Sequence, residues 1–384
     1  MNNQIYLDNA ATTKVAPEVF EVIKKYSEEL YGNAGSLHTL GQKSKNAIIE
    51  AKNILKAKLG AKTGDIIFTG CGTEANNLAV KGLVLSLPVK QKRHLIISEI
   101  EHDCILNASK WLSQLGIDVD VTYVPVDKQG LINPQDVKNS LKPETVLVSV
   151  MHANNEIGTI EPIAEIGKIC HERKVLFHTD ASQSFTKVPL NIENDYVDMV
   201  TINAHKIHGP KGVAALFVKE NINLTPLLHG GGQEKGFRSG TENIPGIMGF
   251  ATAVSLHTES DILNMTNLRD NLIKKILSEI PNTSLNGHST LRLCNNINIS
   301  FEGINAPNLV LMLDSYGISA SVSSACNSLS LEPSHVARAI RGTSAKMDTI
   351  RFSLSKYTTE AELSFTFDKL KQIVESLRKQ ILLT

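Results

Sequence analysis

The chain has 384 residues, of which 42% are apolar and 20% charged, as in globular proteins with a large buried core. Thirty-nine basic side chains balance thirty-nine acidic ones, so the basic excess of a general nucleic-acid binder is missing. The longest nearly apolar stretch, 245–256, is well below the ~20 residues that a membrane-spanning helix needs. Asp8 and Asn9 stand where a signal peptide has its apolar run. We therefore expect a cytoplasmic protein without direct membrane or nucleic-acid partners.

The five cysteines predict neither a disulfide framework nor a zinc ribbon, because they are odd in number, widely spread and without a C-x-x-C pair. Cys104, Cys170 and Cys294 lie within or beside predicted helices and strands and are interpreted as small buried packing residues. Cys71 and Cys326 have glycine-rich or serine-rich neighbours instead.

Short β-branched runs alternate with helix-prone stretches in the first half of the chain. Strands are predicted at 66–69, 95–98, 121–126, 146–151, 175–178, 199–202 and 214–218. Helices are predicted between several of them, at 74–87, 104–115 and 163–173. Strands separated by helices imply βαβ crossovers, so we predict an α/β fold with a mostly parallel seven-stranded sheet flanked by helices.

The second half of the chain has a different pattern. A glycine-rich stretch at 229–241 precedes a long helical region at about 244–280. The pattern then predicts strands at 296–301 and 350–354, helices at 306–313 and 358–382, and a serine-rich loop at 319–330. We predict a large domain of residues 15–264 and a smaller α+β domain of residues 265–384, against which residues 1–14 pack.

Polar residues follow several of the predicted strands, at the sheet edge where ligands bind in open α/β folds. Gly72 and Thr73 lie in a turn at a helix start, which can hold a phosphate, although Thr73 alone is more often a plain N-cap. His102 and Asp180 each follow a strand, where a structural role is also common. Lys206 lies in a glycine- and histidine-rich turn, an unusual place for a side chain that prefers solvent.

Together, a phosphate-binding turn, a strand-end carboxylate and a strand-end lysine predict a site for pyridoxal 5′-phosphate. The lysine forms the Schiff base, and the acid keeps the pyridine nitrogen protonated so that the ring accepts electrons. A metal site is the competing explanation, but His205-x-x-His208 and His178-x-Asp180 match no strong zinc spacing, so no metal is predicted.

Cys326 lies in the serine-rich stretch 319–334. A cysteine in a small, polar, mobile loop suits an exposed nucleophile, because the thiolate must form and reach its target. An incidental loop cysteine is the alternative that the local sequence leaves open.

Over nearly its whole length the chain resembles the pyridoxal-phosphate cysteine desulfurases of the NifS/IscS type. The motifs that carry the resemblance include Tyr6-Leu-Asp-Asn-Ala-Ala-Thr-Thr13, Glu101-His102, Met151-His-Ala-Asn-Asn-Glu-Ile-Gly158, His178-Thr-Asp180, Ala204-His-Lys206, Arg238-Ser-Gly-Thr241, Ser324-Ala-Cys326, Leu331-Glu-Pro-Ser334 and Ile350-Arg-Phe-Ser353. The resemblance implies the pyridoxal-phosphate transferase fold of type I and an obligate homodimer.

It also implies the catalytic roles. Lys206 would be the Schiff-base lysine and a proton shuttle, and His102 would stack on the cofactor ring and act as acid–base. Cys326, as a thiolate, would take the sulfur of L-cysteine, so that the enzyme carries a persulfide and releases alanine. The sulfur would pass to an acceptor protein such as an iron–sulfur scaffold or a tRNA-thiolation enzyme.

The remaining site residues implied by the resemblance hold the cofactor and the substrate. Cofactor binding falls to Gly72, Thr73, Asn155, Asp180, Gln183, Asn203 and His205, with Thr241 reaching in from a neighbouring subunit. Arg351, with Asn155 beside it, would bind the substrate carboxylate, a bidentate task suited to a guanidinium group.

Some positions depart from the usual pattern of the family. Asn203 stands in place of a phosphate-binding Ser, Ser323 in place of a Gly, and Val322 in place of a small hydroxyl residue. Cys71 replaces a small non-thiol residue and is interpreted as packing. Two alternatives stay open: a related pyridoxal-phosphate enzyme (an aminotransferase or a selenocysteine lyase), or a sulfur-relay scaffold with weak turnover.

Overall fold

The computed structural model describes residues 4–322, 333–346 and 348–381. Cys326 and Ser323 therefore lie outside the described residues. Within the described ranges, no helix has the length and apolar character that crossing a membrane requires.

The described strands and helices follow the predicted order. The strands are β1 Ile5–Tyr6, β2 Asp65–Thr69, β3 Arg93–Ser98, β4 Val119–Val124, β5 Thr145–Ser149, β6 Leu176–Asp180, β7 Met199–Asn203, β8 Ala214–Val218, β9 Thr283–Leu285, β10 Asn296–Phe301, β11 Ile318–Ser319, β12 Ser321–Val322 and β13 Thr349–Ser353. The helices are α1 Pro17–Glu28, α2 Thr39–Lys58, α3 Gly72–Asn77, α4 Leu83–Ser86, α5 Asp103–Ser113, α6 Pro134–Ser140, α7 Ile163–Arg173, α8 Ile244–Ser255, α9 Glu259–Glu279, α10 Ala306–Ser315, α11 His335–Arg341 and α12 Glu360–Ile381. A π-helical turn, Leu78–Gly82, joins α3 to α4.

The larger sheet has seven strands among the described residues, in the order β2-β8-β7-β6-β5-β3-β4. Strand β8 runs antiparallel to both of its neighbours, and the other pairs are parallel. Helices cover both faces, and the strands are apolar on both, since Leu95, Ile96 and Ile97 are all fully buried. This confirms the predicted mostly parallel α/β sheet.

A second, antiparallel sheet with the order β12-β13-β10-β9 forms the core of the smaller part. Helices α9, α10 and α12 pack on it, around buried side chains such as Phe301, Phe352 and Phe367. The N-terminal strand β1 pairs with β11, and Ile5 and Leu7 belong to this second core. The N-terminal segment thus packs where the sequence predicts, and the domain boundaries stay a prediction.

Two predicted segments differ in the structure. The single helical region at 244–280 is two helices, because Thr258 and Asp261 form a capping box that starts α9. The serine-rich loop predicted from 319 begins with two short strands, β11 and β12, which pair with β1 and β13. Each is two residues long, too short to give an alternating pattern.

A substitution at Gly158 tests how closely the loop that follows β5 approaches β10 of the second sheet. It has a φ of +76°, and a Cβ placed there would lie 2.6 Å from the Asn296 side chain at the start of β10. Gly303 has a matching φ of +77° with open space around it. We expect Gly158→Ala to cost about 1–3 kcal/mol more stability than Gly303→Ala, because only the first adds a steric clash to the backbone strain. Urea unfolding of both variants measures the difference, and equal losses would contradict the close approach.

Candidate active site

A cavity of about 320 Å³ opens at the carboxyl ends of the large-sheet strands and is closed on one side by the smaller part. Its walls bring together most of the residues that the sequence predicts: Gly72, Thr73, His102, Asn155, Asp180, Gln183, Asn203, His205, Lys206 and Arg351. They come from positions up to 279 residues apart, from Gly72 to Arg351. Most of them end or follow strands of the large sheet at one edge, and Arg351 comes from β13 of the second sheet.

Thr241 is not part of this cavity within the chain. It is exposed, and its neighbours Gly240, Glu242 and Asn243 line a different, smaller pocket. This placement is compatible with the expectation that Thr241 acts in a neighbouring subunit, and that role stays a prediction.

Lys206 ends the 3₁₀ turn Ala204–Lys206, which follows β7 directly. Its Nζ donates hydrogen bonds of 2.6 Å to the carbonyl oxygens of Ala10 and Ala11. The side chain is half-buried in the cavity wall. A lysine whose amino group is bound by backbone carbonyls at a cavity, and does not extend into solvent, is positioned to react with a bound ligand.

The turn between β2 and α3 forms the end of the cavity suited to a phosphate. Gly72 is the first residue of α3, and a Cβ there would meet the Asn203 amide nitrogen at 2.8 Å. Helix α3 continues through the π-helical turn into α4. The free backbone N–H groups at the start of a helix point away from its body, and those of α3 therefore face this end of the cavity. Asn203 is 7% exposed, and its Oδ1 has no hydrogen-bond partner within the described part of the chain.

Cys71 also belongs to this turn, and its interpretation as a packing residue was wrong. The side chain is exposed, lines the cavity and forms no hydrogen bond as the N-cap of α3. Cys104 also lines the cavity. Its side chain is half-buried, and its Sγ accepts a hydrogen bond of 3.2 Å from Asn76. Cys170 and Cys294 are buried as predicted.

His205 supplies a neutral ring beside the phosphate-binding turn. Burial, and then the charges of Lys206 and Lys211, lower the pKa of His205 to about 4. Its Nδ1 lies 3.1 Å from the Thr12 hydroxyl. A neutral imidazole can donate one hydrogen bond to an anion without adding a buried charge.

Asp180 ends β6 and is 5% exposed. Its Oδ2 accepts a hydrogen bond of 2.6 Å from Asn76 Nδ2, and its Oδ1 accepts one of 2.8 Å from the Ser182 amide. Burial, and then the charge of Asp180, raise the pKa of a second buried carboxyl, Glu101, well above its usual value. Asp180 is therefore positioned to accept a hydrogen bond from a ligand N–H.

Gln183 and His102 flank Asp180 in the cavity. Gln183 is buried and donates from Nε2 to the Ala10 carbonyl at 2.9 Å, so its amide oxygen remains an acceptor. His102 caps α5, and its Nδ1 accepts a hydrogen bond from the Cys104 amide at 3.2 Å. In the neutral ring this contact places the proton on Nε2.

Arg351 lies in the middle of β13 and is 2% exposed. Its Nη2 donates to Asp8 Oδ1 at 2.8 Å, and its Nη1 donates to the Asn155 carbonyl at 2.9 Å. A guanidinium group fixed in this way at a cavity wall is suited to bind a carboxylate.

Sequence reasoning missed several residues of the cavity. Asn76 lies one turn of helix after Thr73, so helical spacing alone could have placed it at the same end of the sheet. Asp8 lies within the N-terminal motif, but its contact with Arg351 spans 343 residues and leaves no local signal. Glu156 and His335 also line the cavity.

These residues fit pyridoxal phosphate. The start of α3 at Gly72 is kept open by the missing side chain, and the Asn203 amide nitrogen that approaches it is a donor suited to a phosphate oxygen. A buried carboxylate, a lysine and an amide follow along the same cavity. No group of three or more His, Cys, Asp or Glu side chains that could hold a metal occurs in the residues the structure describes.

Comparisons with known proteins agree with this site. The aminotransferase class-V family matches residues 5–365. The cysteine desulfurase IscS of Dictyoglomus turgidum is 44% identical over 98% of this chain and 96% of that protein. A cysteine desulfurase of Trichormus azollae is 46% identical over 97% of this chain and 94% of that protein.

The fold also matches solved structures. A NifS-like protein superposes with a TM-score of 0.90 at 34% identity, over 97% of this chain and 99% of that one. Fold, cavity and sequence therefore agree: the chain belongs to the aminotransferase class-V family and, within it, to the pyridoxal-phosphate-dependent cysteine desulfurases.

Proposed function

We propose that this cysteine desulfurase converts L-cysteine to L-alanine while Cys326 receives the sulfur as a persulfide. The overall step balances as L-cysteine plus enzyme thiol giving L-alanine plus enzyme persulfide. The observation that carries the proposal is the convergence of Lys206, Asp180 and the Gly72–Thr73 turn on one cavity whose far wall holds Arg351. The acceptor that removes the sulfur would be a protein of iron–sulfur assembly or tRNA thiolation, and a cytoplasmic location stays a prediction.

Three parts of the cofactor would each be bound by different residues. Gly72, Thr73, Asn203 and His205 would hold the phosphate, Asp180 the ring nitrogen, and Gln183 the phenolic oxygen. Bound there, pyridoxal phosphate supplies an electron sink for the amino acid attached to it.

Protons are moved by two side chains of the cavity. Lys206 Nζ lies against the carbonyl oxygens of Ala10 and Ala11, which favour its protonated form. His102 keeps its Nδ1 on the Cys104 amide, so Nε2 is the atom that gives or takes a proton. Arg351 would hold the substrate carboxylate and thereby fix the orientation of the bound substrate.

Described residues on either side of Cys326 contact residues that line the cavity. Ser321 pairs with Arg351 in β12 and β13, and Ser334 donates a hydrogen bond of 2.6 Å to the buried Glu156. Cys326 is five residues after Ser321, so the chain lets it lie at most about 18 Å from that anchor. This reach supports the assignment of Cys326 as the nucleophile.

An exposed apolar surface supports the proposed homodimer. Phe20, Tyr31 and Leu37 are 60%, 68% and 93% exposed. Residues 33–35, next to two of them, line a groove together with residues 231–235 and Glu242, the neighbour of Thr241. Exposed apolar side chains are typical of protein–protein interfaces. These lie near the segment of Thr241, which is expected to reach another active site, so a second copy of this chain is the favoured partner.

We expect sedimentation of the cofactor-loaded enzyme to show a dimer at assay concentrations. Thr241→Ala should leave the dimer intact and weaken cofactor binding several-fold, because one phosphate hydrogen bond is lost. A fully active monomer would remove Thr241 from the site.

Lys206→Ala should abolish alanine formation and the visible absorbance of the bound cofactor, because the covalent attachment point is gone. The phosphate-binding turn stays intact, so some cofactor should remain bound. Lys187→Ala is no suitable control, since its Nζ donates to Gln183 and Lys206 carbonyls. Lys92→Ala is suitable, because that lysine pairs with Glu144 at 3.0 Å and does not line the cavity. Turnover by the Lys206 variant would overturn the assignment.

Cys326→Ser should still bind L-cysteine, with a change in the cofactor spectrum, and release essentially no alanine, because a hydroxyl cannot take up the sulfur. Cys170→Ala, which alters a buried thiol on α7, should stay near wild type. Alanine release is measured beside peptide mass spectrometry, in which the Cys326 peptide should gain one sulfur of about 32 Da.

Other outcomes separate the alternatives. Sulfur found on Cys71, which also lines the cavity, would move the nucleophile to the phosphate turn. Full activity of Cys326→Ser with a keto-acid acceptor would favour an aminotransferase. Persulfide formation without steady-state turnover in the presence of a reductant would favour a sulfur-relay scaffold.

A further inference from the structure

We propose that Asp8 sets the affinity of Arg351 for the substrate carboxylate and so acts as an affinity-determining residue of the site. This inference rests on the proposed role of Arg351. Nothing in the local sequence around Asp8 indicates such a role, because the two residues are 343 positions apart.

The contact between the two side chains is short and shielded. Arg351 Nη2 lies 2.8 Å from Asp8 Oδ1, and the side chains are 2% and 19% exposed. In such a position an ion pair is screened much less than at the surface, so the Asp8 charge acts on whatever approaches the guanidinium. Burial, and then the charge of Asp8, raise the pKa of Tyr6, whereas the charge of Arg351 lowers it.

Two other groups near Arg351 in the described part of the chain differ from Asp8. The Asn155 carbonyl that accepts from Nη1 is neutral. Burial raises the pKa of Glu156, whose carboxyl lies within the electrostatic reach of Arg351 and accepts a hydrogen bond from Ser334. Asp8 is therefore a strong source of negative charge at the guanidinium, and an incoming carboxylate meets its repulsion.

This arrangement has a cost and a benefit for the reaction. A buried guanidinium without a carboxylate partner is unfavourable, so Asp8 stabilises Arg351 in its place before substrate binds. The same carboxylate weakens the attraction that the substrate feels. L-Alanine, the product, carries the same carboxylate as L-cysteine, so moderate affinity for that group also favours product release.

Asp8→Asn tests the inference, because the amide keeps an oxygen acceptor for Nη2 and removes the charge. The probes are L-alanine and ethylamine, which differ only by the carboxylate, titrated into the cofactor-loaded enzyme and followed by the cofactor spectrum. We expect Asp8→Asn to bind L-alanine about tenfold more tightly and ethylamine with unchanged affinity, since only the first has a charge that Asp8 repels.

A matched control makes the same chemical change elsewhere. Asp348 forms a two-point ion pair with Arg341 at 2.8 and 3.2 Å, and Arg341 does not line the cavity. Asp348→Asn should leave the affinities for both probes unchanged. If Asp8→Asn fails to fold, Asp8→Ser removes the same charge and leaves room for water to bind Nη2.

The outcomes are distinguishable. A wild-type enzyme that binds L-alanine no better than ethylamine would overturn the proposed role of Arg351 itself. Clear discrimination in the wild type, with unchanged or weaker L-alanine binding in Asp8→Asn, would overturn the inference about Asp8 alone. An equal change for both probes would also overturn it, because the effect would then not depend on the carboxylate.

Discussion

The site depends on how one short backbone segment, residues 8–13, satisfies the polar groups of both sheets. Its Ala10 carbonyl accepts hydrogen bonds from Lys206 and from Gln183, and its Thr13 hydroxyl contacts the turn that carries Lys206. From the other side, Asp8 binds Arg351 of the smaller sheet. A half-buried ammonium and a buried guanidinium both need fixed acceptors, and this segment supplies them. The cavity is therefore formed between two cores and is lined by a non-strand segment that contacts both.

Much of this architecture could be predicted from the sequence, because the signals are local. The strand Ala214–Val218 and the helix Ile163–Arg173 match their predicted limits, since turn residues bound their apolar patterns. Lys206 and Asp180 could be found because each follows a strand, and such strands place their carboxyl ends at one edge. The resemblance to a known family added the roles of Cys326 and Arg351, which no local pattern assigns.

The rest could not be predicted because it depends on contacts between distant residues. Asn76 bonds Asp180 across 104 positions, and although helical spacing places Asn76 at this end of the sheet, the contact itself depends on the packing of α3 against the strands. The exposure of Cys71 likewise depends on how α3 begins, since its side chain lines the cavity there. One local signal was missed as well. The capping box that separates α8 from α9 lies inside a helix-prone stretch, and the apolar pattern obscured it.

The order of contacts also bears on how the protein is made. The segment that holds Lys206 is synthesised well before its partner Arg351 and the Ser353 hydroxyl that binds the Ala10 amide, each of which follows its contact by 343 residues. The large sheet can be completed once β8 has been synthesised, long before those residues exist. Closing so long a chain segment carries a loop-entropy cost and is slow compared with local pairing. Completion of the active site therefore depends on residues that are synthesised long after the large sheet.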